Sequence, residues 1–470
     1  MKHNKYIYNF SAQSVDGSAS LINLLGGKGA NLAEMSLLNI PVPPGFTIST
    51  EVCNYFLKNN AFPPGFKASL LDSIKKVEEI LERSFGSTKT PLLFSVRSGA
   101  RQSMPGMMET VLNVGLTSKT LCGLIKQTKD ERFVYDSYRR LIMMYSDVVM
   151  EKANNLNLGM REHLDSILIK IKKENNIIHD SDLSVAALKD LCQNFTIEIN
   201  KKLQASFPDD PYEQLWGAIK AVFISWNGFR AKEYRKIENI PDDWGTAVTI
   251  QSMVFGNMGG DSATGVAFTR NPSNGNNHIY GEWLPNAQGE DVVAGIRTPY
   301  PMNEDSKNSL TIKKNTLELQ FPSIYNNLLL IKDTLEKHYR DMQDIEFTIQ
   351  EGILWMLQTR SGKRNGHAAI KIGLDLYKES LINETELANR IAPSQIEEIM
   401  HPYFNPDKEK QATLLTVGLP AGPGCAIGRV VFSPERAQEL SSKKEGVVLI
   451  REETSPEDIH GMHSAKGILT

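Results

Sequence analysis

Asp344-Ile-Glu-Phe-Thr-Ile-Gln-Glu-Gly-Ile-Leu-Trp-Met-Leu-Gln-Thr-Arg360 is the stretch on which the reading of this chain turns. Up to the turn it alternates strictly. Asp344, Glu346 and Thr348 point one way and Ile345, Phe347 and Ile349 the other, as a half-buried strand requires. Gln350-Glu351-Gly352 supplies the turn, with Gly352 able to take positive φ. The return strand sets Met356, Gln358 and Arg360 on one face and Trp355, Leu357 and Thr359 on the other. A hairpin register can then gather two carboxylates, a carboxamide and a guanidinium on one face of a sheet. Carboxylates are hard oxygen ligands for Mg²⁺, and arginine forks onto phosphate. Read alone, the same face also fits an ordinary solvated surface with salt bridges.

Working outward, 470 residues are too many for one core and suggest about three domains. With 41% hydrophobic and 23% charged residues, the composition is that of an ordinary globular protein. A net charge of −3 gives no reason to expect a nucleic-acid or membrane partner. Cys53, Cys122, Cys192 and Cys425 form no C-x-x-C pair, which fits a reducing compartment and argues against a zinc site. The N-terminus has no apolar signal core and no apolar run reaches membrane-spanning length, so the expected location is cytoplasmic.

Upstream, Gly26-Gly-Lys-Gly29 is a glycine-rich turn opening a helix over Ala30 to Leu38, followed by a strand at Phe46–Ile48. Bare backbone there lets a phosphate approach Lys28 at a helix N-terminus. It is not a Walker A loop, because position 22 is Ile and position 29 is Gly. Residues 66–84 read as helix. An apolar strand, Leu92 to Val96, then delivers Arg97. Arg101 and the loop Ser103-Met-Pro-Gly-Met-Met108 follow before a strand at Val111–Val114. Two arginines beside a glycine-bearing loop suit triphosphate binding.

Residues 129–236 are dominantly helical (Phe133 to Ala153, Val185 to Phe207, Gln214 to Lys236), with His163 and His179 read as surface residues. Short strands return at Ala247–Met253, Gly265–Thr269 and His278–Gly281, around a second glycine-rich loop, Gly256–Gly265, and Arg270. Asn286-Ala-Gln-Gly-Glu-Asp-Val-Val-Ala-Gly-Ile-Arg297 and a helix around 323–340 lead to the hairpin. Pro393 and Met400–Gln411 read as a linker. A β-rich unit then starts near Thr416, with a helix capped by Ser455-Pro-Glu-Asp458 that carries His460 and His463 as surface residues.

Gly26-Gly-Lys-Gly-Ala-Asn-Leu-Ala-Glu-Met35, Ser95-Val-Arg-Ser-Gly-Ala-Arg101 with Ser103–Met108, Ala287-Gln-Gly-Glu-Asp-Val-Val-Ala-Gly295 and Leu357-Gln-Thr-Arg360 resemble the N-terminal part of the pyruvate, phosphate dikinase family. The likeness runs from about residue 20 to the last residue. It implies an α/β (α+β) chain: an ATP-grasp nucleotide-binding domain with a helical subdomain, then a truncated swivelling phosphohistidine domain. The expected division is 1–115 first ATP-grasp lobe, 116–243 helical subdomain, 244–365 second lobe with the hairpin, 366–411 helical linker and 412–470 the start of the swivelling domain.

Carried over, the resemblance assigns Lys28 and Arg97 to phosphates. Asp344 and Glu346 are assigned to Mg²⁺ and nucleotide, with Gln358 beside them and Arg360 as a further phosphate candidate. It implies that ATP, phosphate and pyruvate are converted to AMP, pyrophosphate and phosphoenolpyruvate through a phosphohistidine, by an enzyme that is a homodimer at full length. The family's acceptor histidine follows a Gly-Ile-Leu-Thr sequence, which here is Gly467–Thr470, the end of the chain. The chain is therefore expected to be a fragment or truncated product, probing only the ATP half of the reaction. A phosphoenolpyruvate synthase-like water dikinase and a non-catalytic nucleotide-binding module are the competing readings.

Overall fold

The computed structural model describes residues 5–293, 298–307, 314–400 and 425–470. It is a mixed α/β structure whose packing divides into two compact units, each assembled from three separate pieces of chain. The first comprises Met1–Val266, Glu282–Asn326 and Ile345–Arg360; the second comprises Ala267–Gly281, Asn327–Asp344 and Ser361–Thr470.

Strand β1 (Ile7–Phe10) leads to helix α1 (Ile22–Leu37) and β2 (Gly45–Ile48). A short parallel pair, β3 (Ser84–Phe85) and β4 (Pro91–Leu92), precedes β5 (Phe94–Gly99), β6 (Thr110–Val114) and β7 (Ala247–Ser252). Five of these form an antiparallel sheet in the order β1-β2-β7-β5-β6. Alternation sorts its two faces. Phe46, Ile48, Phe94, Val96, Val248 and Ile250 enter one large apolar core shared with the helices. The opposite face carries a polar row, because Arg97 pairs with Thr249 and with Thr110, and Thr249 pairs with Thr47. Helix α1 packs on β2, β5 and β7, and Pro211–Ser225 packs on β5, β6 and β7.

The expected helix at Ala30 begins earlier, at Ile22, but is interrupted at Gly26, whose φ of 65° and ψ of 171° are non-helical. The cause is tertiary. A Cβ on Gly26 would lie 1.8 Å from the Gly99 carbonyl oxygen, so only glycine fits. The next residue, Gly27, donates its N–H to Ala100 at 2.8 Å. Strand β5 also runs past the expected Val96, so Arg97 lies within the strand. Phe133–Ala153 is helical throughout, but α-helical only to Tyr145; it continues as a π-helical segment, Ser146–Glu151, and a 3₁₀ turn, Lys152–Asn154. Gln214–Lys236 is two helices, Pro211–Ser225 and Phe229–Ile237.

A second five-stranded sheet runs β10-β9-β8-β11-β12, with β8 at Ala263–Phe268, β9 at Tyr280–Pro285, β10 at Tyr300–Pro301, β11 at Gln343–Gln350 and β12 at Ile353–Ser361. The expected hairpin is present as β11 and β12. Glu351 (φ 49°) and Gly352 (φ 76°) are both left-handed, the signature of a two-residue type I′ turn. Ile345, Phe347 and Ile349 are fully buried, while Asp344 and Glu346 are half-buried, as alternation requires.

In the second unit Met342, Ala368, Ile372, Leu376 and Ile382 form one core. Arg270, 1% exposed, is forked between Glu336 and Glu379. Strands β13 (Arg429–Val431), β14 (Val447–Ile450) and β15 (Gly467–Leu469) form a parallel sheet with its own small core, built with Ala437 and Leu440. The Ser455 N–H bonds the Asp458 carboxylate at 2.9 Å, as the expected cap implies. Pro393–Met400 is helical; the expected linker beyond it, the opening of the β-rich unit near Thr416, and Ala294–Arg297 lie outside the described residues.

Gly26→Ala meets both a positive φ and a carbonyl at its Cβ, whereas Gly352→Ala meets only the positive φ, with nothing within 4 Å. We expect the second to cost about 1–2 kcal/mol and the first distinctly more. Thermal unfolding of the two variants checks the order.

Candidate functional site

Within the first unit the polar face of β5 and β7, the start of α1 and the hairpin enclose a cavity of about 620 Å³. Each contribution has a local cause. Lys28 is delivered by the turn that Gly26 makes against Gly99. Arg97 points inward because Val96 and Ser98 occupy the alternate positions of β5. Glu346 points inward because Ile345 and Phe347 are taken by the core. All three line the cavity.

Arg97 Nη2 lies 3.2 Å from Glu346 Oε2, and Nη1 donates to the Leu357 carbonyl at 3.3 Å. Two further bonds fix this edge of β12. Met356 N–H donates to Pro41 at 2.8 Å, and Asn31 Nδ2 donates to the Thr359 carbonyl at 2.9 Å. The two-residue turn sets Glu346 opposite Leu357, and both line the cavity. Gln358 is 5% exposed, and its Oε1 has no partner among the described residues. Asp344 and Arg360 do not line the cavity; Asp344 belongs to the second unit, two residues before Glu346 on β11.

Lys28 makes no hydrogen bond or ion pair among the described residues. Burial first, and then the positive charges of Arg97 and Arg360, pull its pKa from 10.5 to about 7 against the opposing charge of Glu346. A lysine held this way gains most from an incoming polyanion. Arg101, by contrast, stacks its guanidinium over Trp244 at 5.1 Å and does not line the cavity.

A second charged neighbourhood lines the same cavity. Arg139 bonds Asp136 at 2.7 Å and Asp180 at 3.2 Å; Arg140 bonds Asp136 at 3.1 Å and Asp291 at 3.0 Å, with Glu290 at 3.6 Å. Burial pushes the Asp136 carboxyl up, but Arg139 and Arg140 overcome it and hold it below the usual range. Burial dominates for Glu290, whose pKa is raised despite Arg140. Sequence reasoning missed this group by treating the helical region as a separate insertion. The available signal was Asp136, Arg139 and Arg140 at i, i+3 and i+4 on one face of a helix whose other faces carry the apolar Leu141 and Ile142.

Among the described residues no group of three or more His, Cys, Asp or Glu is placed to hold a metal. The donor set fits Mg²⁺ in another manner, since Mg²⁺ is commonly held by one or two carboxylates plus substrate phosphates, and Glu346 faces the cavity. No helix among the described residues is long and apolar enough to cross a membrane.

The model of the pyruvate phosphate dikinase AMP/ATP-binding domain matches residues 22–64, 63–329 and 301–380. The chain belongs to this family. It is 48% identical over 468 residues to pyruvate, phosphate dikinase of Clostridium symbiosum and 49% identical over 467 residues to that of Rhizobium meliloti (strain 1021). It is 46% identical over 471 residues to pyruvate, phosphate dikinase 2 of Zea mays. These matches take in 99 to 100% of the chain and 51% of each relative, so the chain spans about half the length of the dikinases it matches. The family's nucleotide-binding description and the cavity fall on the same stretch of sequence.

The charges around Lys28 set a sign that can be measured. Arg97→Met removes a repelling cation and raises the Lys28 pKa; Glu346→Gln removes the opposing carboxylate and lowers it. Because the folded pKa lies below the unfolded one, this lysine's contribution to stability rises with pH between about 7 and 10.5. NMR titration of the ¹³C-methylated amine reads both variants and the unsubstituted chain directly.

Proposed function

We propose that the cavity binds Mg·ATP and that the first unit is an ATP-grasp nucleotide domain supplying the phosphoryl donor of a dikinase reaction. The single observation that carries this is an uncompensated lysine, Lys28, beside Arg97 and Glu346 in one cavity of a chain from an ATP-binding family. Lys28 and Arg97 take the phosphates, with Arg360 adding positive potential, while Glu346 and Asp344 serve Mg²⁺. Gln358 supplies a carboxamide beside Glu346. When bound, Mg²⁺ would supply charge neutralisation at the phosphates. The protein's own part is positioning: Glu346 releases Arg97 to phosphate, and the buried Lys28 takes up a proton as the anion arrives.

In this reading ATP passes its terminal pyrophosphoryl group to a histidine and leaves as AMP, phosphate takes the outer phosphoryl group to form pyrophosphate, and the phosphohistidine that remains transfers its phosphoryl group to pyruvate to give phosphoenolpyruvate. That sequence, the homodimer and the role of residues 412–470 as the start of a swivelling phosphohistidine domain rest on the family resemblance. The parallel β13-β14-β15 unit supports the last of these as an independently cored module.

Arg97→Ala is expected to weaken Mg·ATP binding by about 1.5–3 kcal/mol, the scale of a lost charge-assisted hydrogen bond, and Arg101→Ala to weaken it much less. Glu346→Gln should alter the Mg²⁺ dependence of binding and Glu351→Gln, in the turn, should not. Calorimetry of the four variants decides the assignment; equal losses from both arginines would refute it.

Binding should also move a proton. Phosphate raises the Lys28 pKa from about 7, so near pH 8 complex formation takes up close to one proton, and affinity falls as pH rises further. Calorimetry in buffers of different ionisation enthalpy measures the uptake, and Lys28→Met should abolish it.

A further inference from the structure

The motif Asn286-Ala-Gln-Gly-Glu-Asp291 has no part in the phosphate end just described, yet its backbone is held at several points. Ala287 N–H donates to Gly256 at 2.9 Å, and Gln288 N–H donates to Asp291 Oδ2 at 2.9 Å. The Asp291 N–H returns to the Gln288 carbonyl at 3.0 Å. Arg140 then fixes Asp291 through Oδ1 at 3.0 Å. The side chain held in this way is 6% exposed and lines the cavity, and its Nε2 has no acceptor among the described residues.

A buried donor without an acceptor lowers stability, and native folds keep few of them. Here the whole local network is arranged so that such a donor persists at the wall of a cavity. A ligand acceptor accounts for it. The position in the cavity says which part of the ligand. The groups acting on Lys28 are Arg97, Glu346 and Arg360, whereas those acting on Glu290, two residues from Gln288, are Arg140, Asp291, Arg161 and Arg139. These sets share no member. Met143 and Met144 follow Arg140 by three and four residues and also line the cavity. Their polarizable thioethers suit a planar ring better than a phosphate.

We propose that Gln288 reads the nucleoside half of the nucleotide, its Nε2 donating to an acceptor on the base or ribose. The proposal rests on the Mg·ATP reading above and extends it to a residue outside the phosphate cluster. Gln288 thereby ties ligand occupancy to the Asp291–Arg140 pair that holds its backbone.

The test compares two probes on the full chain: Mg·ATP and Mg·tripolyphosphate, which has the charge without the nucleoside. Gln288→Leu is expected to weaken Mg·ATP about tenfold, the scale of one lost hydrogen bond with its partner left unpaired, and to leave tripolyphosphate unchanged. Its ligand-free melting temperature should not fall, because the substitution removes an unpaired buried donor. Gln288→Glu, with acceptors only, should lose Mg·ATP to at least the same degree. Should Gln288→Leu fail to fold, Gln288→Asn keeps the carboxamide, shortens its reach and should show the same selective loss. Unchanged Mg·ATP affinity in these variants, or equal losses of both probes, overturns the proposal while the Mg·ATP reading stands. Absence of Mg·ATP binding by the unsubstituted chain overturns that reading itself, and this one with it.

Discussion

The contact between Arg97 and Glu346, 3.2 Å across the cavity, is the constraint on which the site depends. It joins the polar face of the first sheet to the hairpin, two elements 249 residues apart in sequence. Neither partner is deeply buried: their side chains are 15% and 30% exposed. The pair therefore contributes little net stability as an ion pair. Its value is geometric. Both groups are kept at the cavity wall, with Arg97 held between Glu346 and the Leu357 carbonyl.

An exchangeable pair beside an uncompensated lysine is a different device from a glycine-rich phosphate loop. The latter surrounds phosphate with fixed backbone donors. Here the cationic side chains must be kept apart without a ligand and drawn together with one. Burial and the neighbouring arginines make the lysine's charge costly in the empty state, so its proton is easily given up, and Glu346 occupies Arg97. On the Mg·ATP reading proposed above, the same three side chains would supply the position and charge neutralisation that phosphoryl transfer asks of a protein.

The hairpin was legible because its information is local. A period of two, a Glu-Gly turn and a core face of Ile345, Phe347 and Ile349 leave one way to fold the stretch. Lys28 was legible through its glycines, though the reason for them was not. Gly26 is required by the carbonyl of Gly99, seventy-three residues away in sequence, and no local pattern reports such an approach. The Arg139–Arg140 neighbourhood and the inward turn of Gln288 were hidden for the same reason. Their partners come from distant segments, and a helix carrying Asp136, Arg139 and Arg140 reads equally well as a solvated surface.

The order of the first sheet bears on how the protein is made. Strand β7 sits between β2 and β5, yet β2 ends at Ile48 and β7 begins only at Ala247. At roughly 5–20 residues per second, the ribosome delivers the central strand on the order of ten to forty seconds after its neighbour. During that interval β2 and β5 present unpaired backbone edges, and the apolar faces of Phe46, Phe94 and Val96 wait for theirs. The helices emerging in between, Glu131–Tyr145 and Pro211–Ser225 among them, are long elements on hand to shelter those faces. The nascent chain is thus most exposed to misassembly just before Ser252 emerges, and a holding chaperone acting in that window would serve this fold best.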